Sequence, residues 1–128
     1  MDISRRGFIG GVASLSVAGI GIRTVSASSV EVLRAAPGTA RLVPGDYPAT
    51  PIWGFNGKTP GPVIRVRQGE RLVRRFVNKL PQPSTIHWHG IRIANAMDGV
   101  PELTQPLVPP DSTFEYDFRV PDAGTYWY

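Results

Sequence analysis

A chain of 128 residues holds one domain at most and is too short for a TIM barrel, which needs roughly 250 residues. It contains no Cys, which excludes a disulfide framework, a thiolate zinc site, a Cys nucleophile and a self-contained blue-copper centre. The net charge of +4 divides evenly: residues 1–27 hold Arg5, Arg6 and Arg23 against Asp2, and the remaining 11 basic and 9 acidic groups leave +2.

The first segment reads as an address. Ser4-Arg5-Arg6-Gly7-Phe8-Ile9 is a twin-arginine pattern ahead of an apolar stretch, Gly7–Ile22. That stretch is shorter than the ~20 residues a membrane span wants, and its five Gly weaken a helix. Val25-Ser26-Ala27 supplies small side chains for cleavage, so residues 1–27 are predicted to be a signal peptide. The twin-arginine translocase would be a transient partner, no stable membrane span is expected, and the mature chain is expected in the periplasm.

Residues 28–128 are predicted to form the domain. Val30–Val43 reads as a strand pair, or a long strand broken at Pro37-Gly38, and Ile52–Phe55 as a short strand ending at Asn56-Gly57. Val63–Arg67 alternates, with Arg65 and Arg67 on the solvent side, and Gln68-Gly69-Glu70 turns the chain. Arg71–Asn78 is a strand whose imperfect alternation suggests a bulge. The arginines here, Arg65 to Arg75, fit a solvated strand face better than a nucleic-acid patch, so no nucleic acid is expected.

Thr85–Ile93 reads as a strand carrying both histidines. Thr113–Val120 alternates cleanly, with Phe114, Tyr116, Phe118 and Val120 on one face. Asp122-Ala123-Gly124 turns the chain into Thr125–Tyr128, a further strand at which it is expected to have been cut. No segment after Ala27 shows a helical period, and Gly and Pro together number 27 with no low-complexity repeat. The fold class expected from this is all-β, an antiparallel sandwich of about 100 residues.

The chemistry lies in His87-Trp88-His89-Gly90. On a strand, residues i and i+2 share a face about 6.6 Å apart, so the two imidazoles can serve one metal ion or two neighbouring ones. Alone, the pattern also fits two surface histidines flanking a core Trp. A cupin would place Glu four or five residues after the second His, where Ile93 and Ala94 stand. The metalloprotease His-Glu-x-x-His and the hydrolase Gly-x-Ser-x-Gly are both missing.

A family resemblance narrows the choice. Phe55-Asn56-Gly57-Lys58-Thr59-Pro60-Gly61-Pro62, then Gly69-Glu70-Arg71, Thr85-Ile86-His87-Trp88-His89-Gly90, Met97-Asp98-Gly99-Val100-Pro101 and Pro121–Tyr128 follow one another as in a laccase-like multicopper oxidase. The resemblance implies a cupredoxin-like Greek-key β-sandwich, the N-terminal domain of a longer protein. It implies copper at a trinuclear cluster, with His87 matching a type 2 ligand and His89 a type 3 ligand, and Asp98 matching the acidic residue that relays protons to reduced oxygen. An ordinary Asp-Gly turn would also explain Asp98.

Dioxygen and a reducing phenol-like or metal-ion substrate would be the reactants, and further cupredoxin domains the partners. The type 1 site and the remaining histidine ligands are not in this sequence, so the chain alone is expected to be inactive. A copper-free scaffold on the same fold is the alternative.

Overall fold

The computed structural model describes residues 30–128, so the twin-arginine segment 1–27 lies outside the described residues. Four strands form one sheet: β1 (Glu31–Ala40), β2 (Thr50–Phe55), β3 (Arg71–Asn78) and β4 (Thr113–Arg119), in the order β2-β1-β3-β4. The pairings β1–β2 and β3–β4 are antiparallel, while β1 and β3 run parallel. The sheet is therefore mixed, where the sequence suggested a purely antiparallel sandwich.

β1 is unbroken through Pro37-Gly38 because it changes partner there. Glu31–Ala35 pair with β3, and Ala35–Ala40 pair with β2. Pro37 thus lies where β1 has a ladder on one edge only, a position that tolerates a residue without an N–H. β3 carries no bulge, since Arg71–Val77 register continuously against Arg119–Thr113. Its uneven pattern arises because Arg74 takes an inward-facing position and reaches Glu31 at 2.8 Å across the parallel pair. On the outer face Arg75 pairs with Glu115, directly opposite, and Arg71 pairs with Asp117 on the diagonal. Much of the arginine-rich stretch is thereby neutralised within the sheet. Arg65 and Arg67 are exposed, as their alternation suggested.

Leu33, Leu72, Phe76, Tyr116 and Phe118 cover the inner face. Opposite them lie extended segments with few ladder bonds: Val63–Arg67, Ser84–His89 and Thr125–Tyr128. The first alternates in burial but joins no ladder, and the histidine segment is held by isolated bridges Ser84–Val108 and His89–Trp127. None of the three is a regular strand, although the sequence suggested strands at Val63–Arg67, Thr85–Ile93 and Thr125–Tyr128. Ile86 and Trp88 drop from the second segment into the core. Trp88 meets Tyr116, Phe118 and Tyr128 with ring centroids 5.4, 5.2 and 5.7 Å apart. Full burial of such side chains is worth roughly 1.5–3 kcal/mol each, which anchors a segment that backbone pairing does not.

Asn78, wholly buried at the end of β3, fastens two loops. Its side-chain amide donates to the carbonyls of Gln82 (3.0 Å) and Val108 (2.9 Å), and its side-chain oxygen accepts from Leu80 N–H (3.0 Å). A single helical turn, α1 (Asn95–Asp98), interrupts the β structure and ends on Gly99 in the left-handed region at φ 77°. Sequence periodicity cannot reveal four residues of helix, though Asp98-Gly99 was legible as a turn.

Candidate metal centre

His87 and His89 project side by side. Their ring centroids are 5.6 Å apart and their planes stand at 81°. The intervening Trp88 points the other way, into the core, and fixes the backbone between them. The His87 side chain is 39 % exposed and His89 is exposed, so neither ring is sealed from an incoming ion.

The His87 ring is oriented by the last residue of α1. The Asp98 backbone carbonyl lies 2.8 Å from His87 Nδ1, while the Asp98 carboxylate oxygen is farther off at 3.5 Å. Because that carbonyl can only accept, Nδ1 carries the proton and Nε2 presents its lone pair outward. A neutral imidazole can ligate a metal through either nitrogen, and this hydrogen bond leaves Nε2 as the one available at His87. The sequence marked Asp98 for its carboxylate, but it is the main chain that sets the His87 tautomer. The same carbonyl accepts the Trp88 N–H at 3.3 Å.

Gly99 makes this approach possible. A Cβ at Gly99 would overlap the Ile86 carbonyl oxygen, so a residue with a side chain would force the turn away from the histidine segment. A buried hydroxyl relay ties the same two pieces together. Thr85 Oγ1 donates to the Gly99 carbonyl at 3.0 Å, which leaves the Tyr116 hydroxyl donating to Thr85 Oγ1 at 2.9 Å and accepting from Ile86 N–H at 2.9 Å. Each group has a partner, as buried polar groups must. Sequence reading placed Tyr116 in the core by its alternation, but its hydroxyl gave no sign of this role.

The histidine segment is held from its other side by the last residues. His89 N–H donates to the Trp127 carbonyl at 3.0 Å, and Arg92 makes a two-pronged ion pair with Asp122 at 2.8 and 2.9 Å. The Arg92 hydrogen bond is the chief cause that holds the Asp122 carboxyl below its usual value, with partial burial opposing it. Tyr128 donates from its hydroxyl to the Pro62 carbonyl at 2.7 Å, and desolvation raises its pKa. A groove of about 700 Å³ lined by Phe55, Ile64, Trp88 and Tyr128, among others, is bordered by neither histidine.

No group of three or more His, Cys, Asp or Glu capable of holding a metal is found among the described residues. The two outward imidazoles form a partial donor set, one that imidazole-seeking metals such as copper can use and further ligands would have to complete.

Fold and site together define a cupredoxin-like all-β domain carrying a two-histidine donor pair. The sequence model of the multicopper oxidase family matches residues 38–128, and the chain belongs to that family. It is 37 % identical to Copper resistance protein A of Escherichia coli over 139 aligned residues, covering all of this chain and 23 % of that protein. It is 35 % identical to Multicopper oxidase MmcO of Mycobacterium tuberculosis, covering 97 % of this chain and 28 % of the other. Among solved structures, Lac15 from a marine microbial metagenome superposes with a TM-score of 0.74 at 54 % identity, over 77 % of this chain and 26 % of that one. A multi-copper oxidase from Pseudomonas thermotolerans gives 0.70 at 49 % identity, over 77 % and 24 %. The chain thus spans about a quarter of the length of these relatives.

Proposed function

We propose that this chain is the N-terminal cupredoxin domain of an exported multicopper oxidase, and that His87 and His89 are its contribution to a trinuclear copper cluster. The observation that carries the reading is the pair of adjacent, outward imidazoles, one with its tautomer set by a backbone carbonyl. His87 would hold the type 2 copper and His89 a type 3 copper. Copper bound there would supply the electron transfer that reduces dioxygen to water, at the expense of a phenol-like or metal-ion substrate.

What the residues do is narrower and follows from their placement. His87 offers Nε2 because Nδ1 is occupied. Trp88 keeps the backbone between the ligands from shifting. The Asp98 carboxylate, near His87 but not engaged as its main acceptor, is free to hold and pass a proton. Two ligands cannot hold three coppers, so further cupredoxin domains must supply the rest and the 128-residue chain alone reduces no oxygen. The twin-arginine pattern of residues 1–27 supports delivery to the periplasm by the twin-arginine translocase.

The test has two arms. In the 128-residue chain, His87→Ala and His89→Ala should each abolish most copper binding measured against a competing chelator, without oxygen consumption in any variant. In a polypeptide extended to the relatives' length, the same substitutions should abolish oxygen consumption with a phenol or cuprous salt, and Asp98→Asn should slow it while leaving copper content unchanged. A fully copper-supplemented long form that consumes no oxygen would favour the copper-free scaffold.

A further inference from the structure

The two histidines are oriented by different means. His87 has a hydrogen-bond acceptor at Nδ1, whereas neither ring nitrogen of His89 has a hydrogen-bond partner among the described residues. Its ring instead lies flat on the indole of Trp127, with centroids 4.1 Å apart and planes 12° from parallel. Trp127 is 66 % exposed and is not part of the hydrophobic core. Removing its indole would open no cavity there, so core packing does not account for the side chain.

We propose that Trp127 is a positioning residue that sets the plane of the His89 ring by stacking. The inference rests on the reading of His87 and His89 as copper ligands. A stacked indole occupies one face of the imidazole and leaves both nitrogens clear at the ring edge, where a metal ligand must present its lone pair. It also limits rotation of the ring. The backbone reinforces the contact. His89 and Trp127 form an isolated antiparallel bridge, and Arg92–Asp122 closes the same two segments farther along. Gly90, at φ 81°, sits against the Tyr126 ring, which a Cβ would reach at 3.5 Å. The Trp127 backbone is thus tied to the histidine segment, while its side chain meets the His89 ring and is otherwise largely exposed.

The stack is tested first without metal. In the NMR spectrum of the 128-residue chain, the His89 ring protons should be shifted upfield by the indole ring current. The shift should vanish in Trp127→Ala and persist in Trp127→Phe, and Trp53→Phe should not affect it. Copper(II) is then titrated against a competing chelator, with EPR spectra of the loaded chain. Trp127→Ala should bind copper roughly three- to tenfold more weakly, the range expected for one aromatic stack, and should broaden the EPR spectrum. Trp127→Phe should restore both, a rescue that a general loss of folding would not give. Parental affinity and an unchanged spectrum in Trp127→Ala, alongside lost binding in His89→Ala, would overturn the positioning role and leave the ligand reading intact. Binding that survives His87→Ala and His89→Ala alike would overturn both.

Discussion

Gly99→Ala tests the close approach on which His87 depends. Gly99 is buried at φ 77°, and the added Cβ would overlap the Ile86 carbonyl oxygen, lie 2.6 Å from that carbonyl carbon and 3.1 Å from His87 Cα. All three atoms are backbone, so no side-chain rotation relieves the overlap. A left-handed conformation costs a non-glycine residue about 1–2 kcal/mol. Pushing the turn away would also break the Thr85–Gly99 and His87–Asp98 hydrogen bonds, worth about 1 kcal/mol each. The sum is about 3–4 kcal/mol, a fall in Tm on the order of 12–30 °C for a domain of this size. Gly57→Ala is the matched control: φ is 72°, but nothing lies within 4 Å of its Cβ position, so only the conformational cost of about 1–2 kcal/mol applies. Urea and thermal unfolding followed by circular dichroism measure both. Copper affinity in Gly99→Ala should fall about 10- to 100-fold, as when a ligand loses its supporting hydrogen bond. Equal destabilisation of the two variants, with copper affinity unchanged in both, would refute the reasoning.

Tyr116→Phe strands the Ile86 N–H and removes the donor to Thr85 Oγ1, and should cost about 1–3 kcal/mol in urea unfolding, whereas a loss below 0.5 kcal/mol, the ordinary scatter of neutral substitutions, would dismiss the relay. The Arg92–Asp122 pair should make stability acid-sensitive in one direction. The folded Asp122 value lies below the ordinary 3.8, so the contribution is complete above that value and disappears as pH falls through the folded one. Comparing Asp122→Asn with the parent during acid unfolding should show the variant lacking this part of the transition; superimposable curves would count against the pair.

Much of the sheet was legible because its faces differ in polarity. Phe114, Tyr116 and Phe118 alternate with Glu115 and Asp117, and the alternation alone placed β4 and its buried side. Val63–Arg67 shows how far that signal reaches: its alternation correctly marked Arg65 and Arg67 as exposed, but burial does not require a ladder partner. The same limit applies to Thr85–Ile93, whose histidines share a side although only isolated bridges at Ser84 and His89 tie that stretch to the rest. The parallel pairing of β1 with β3 could not be read locally, since it depends on which strands meet.

Sequence by itself singled out His87 and His89 as the candidate ligands, because residue identity decides which side chains can ligate a metal. It also determined the family, through an ordered set of short blocks. Tertiary structure decided how those rings are oriented. The acceptor at His87 is a main-chain carbonyl 11 residues away, admitted by a glycine, and the surface under His89 is an indole 38 residues away in sequence. A backbone carbonyl is the same group in every residue, and a stack depends on the meeting of distant segments. Neither leaves a local mark in the order of amino acids.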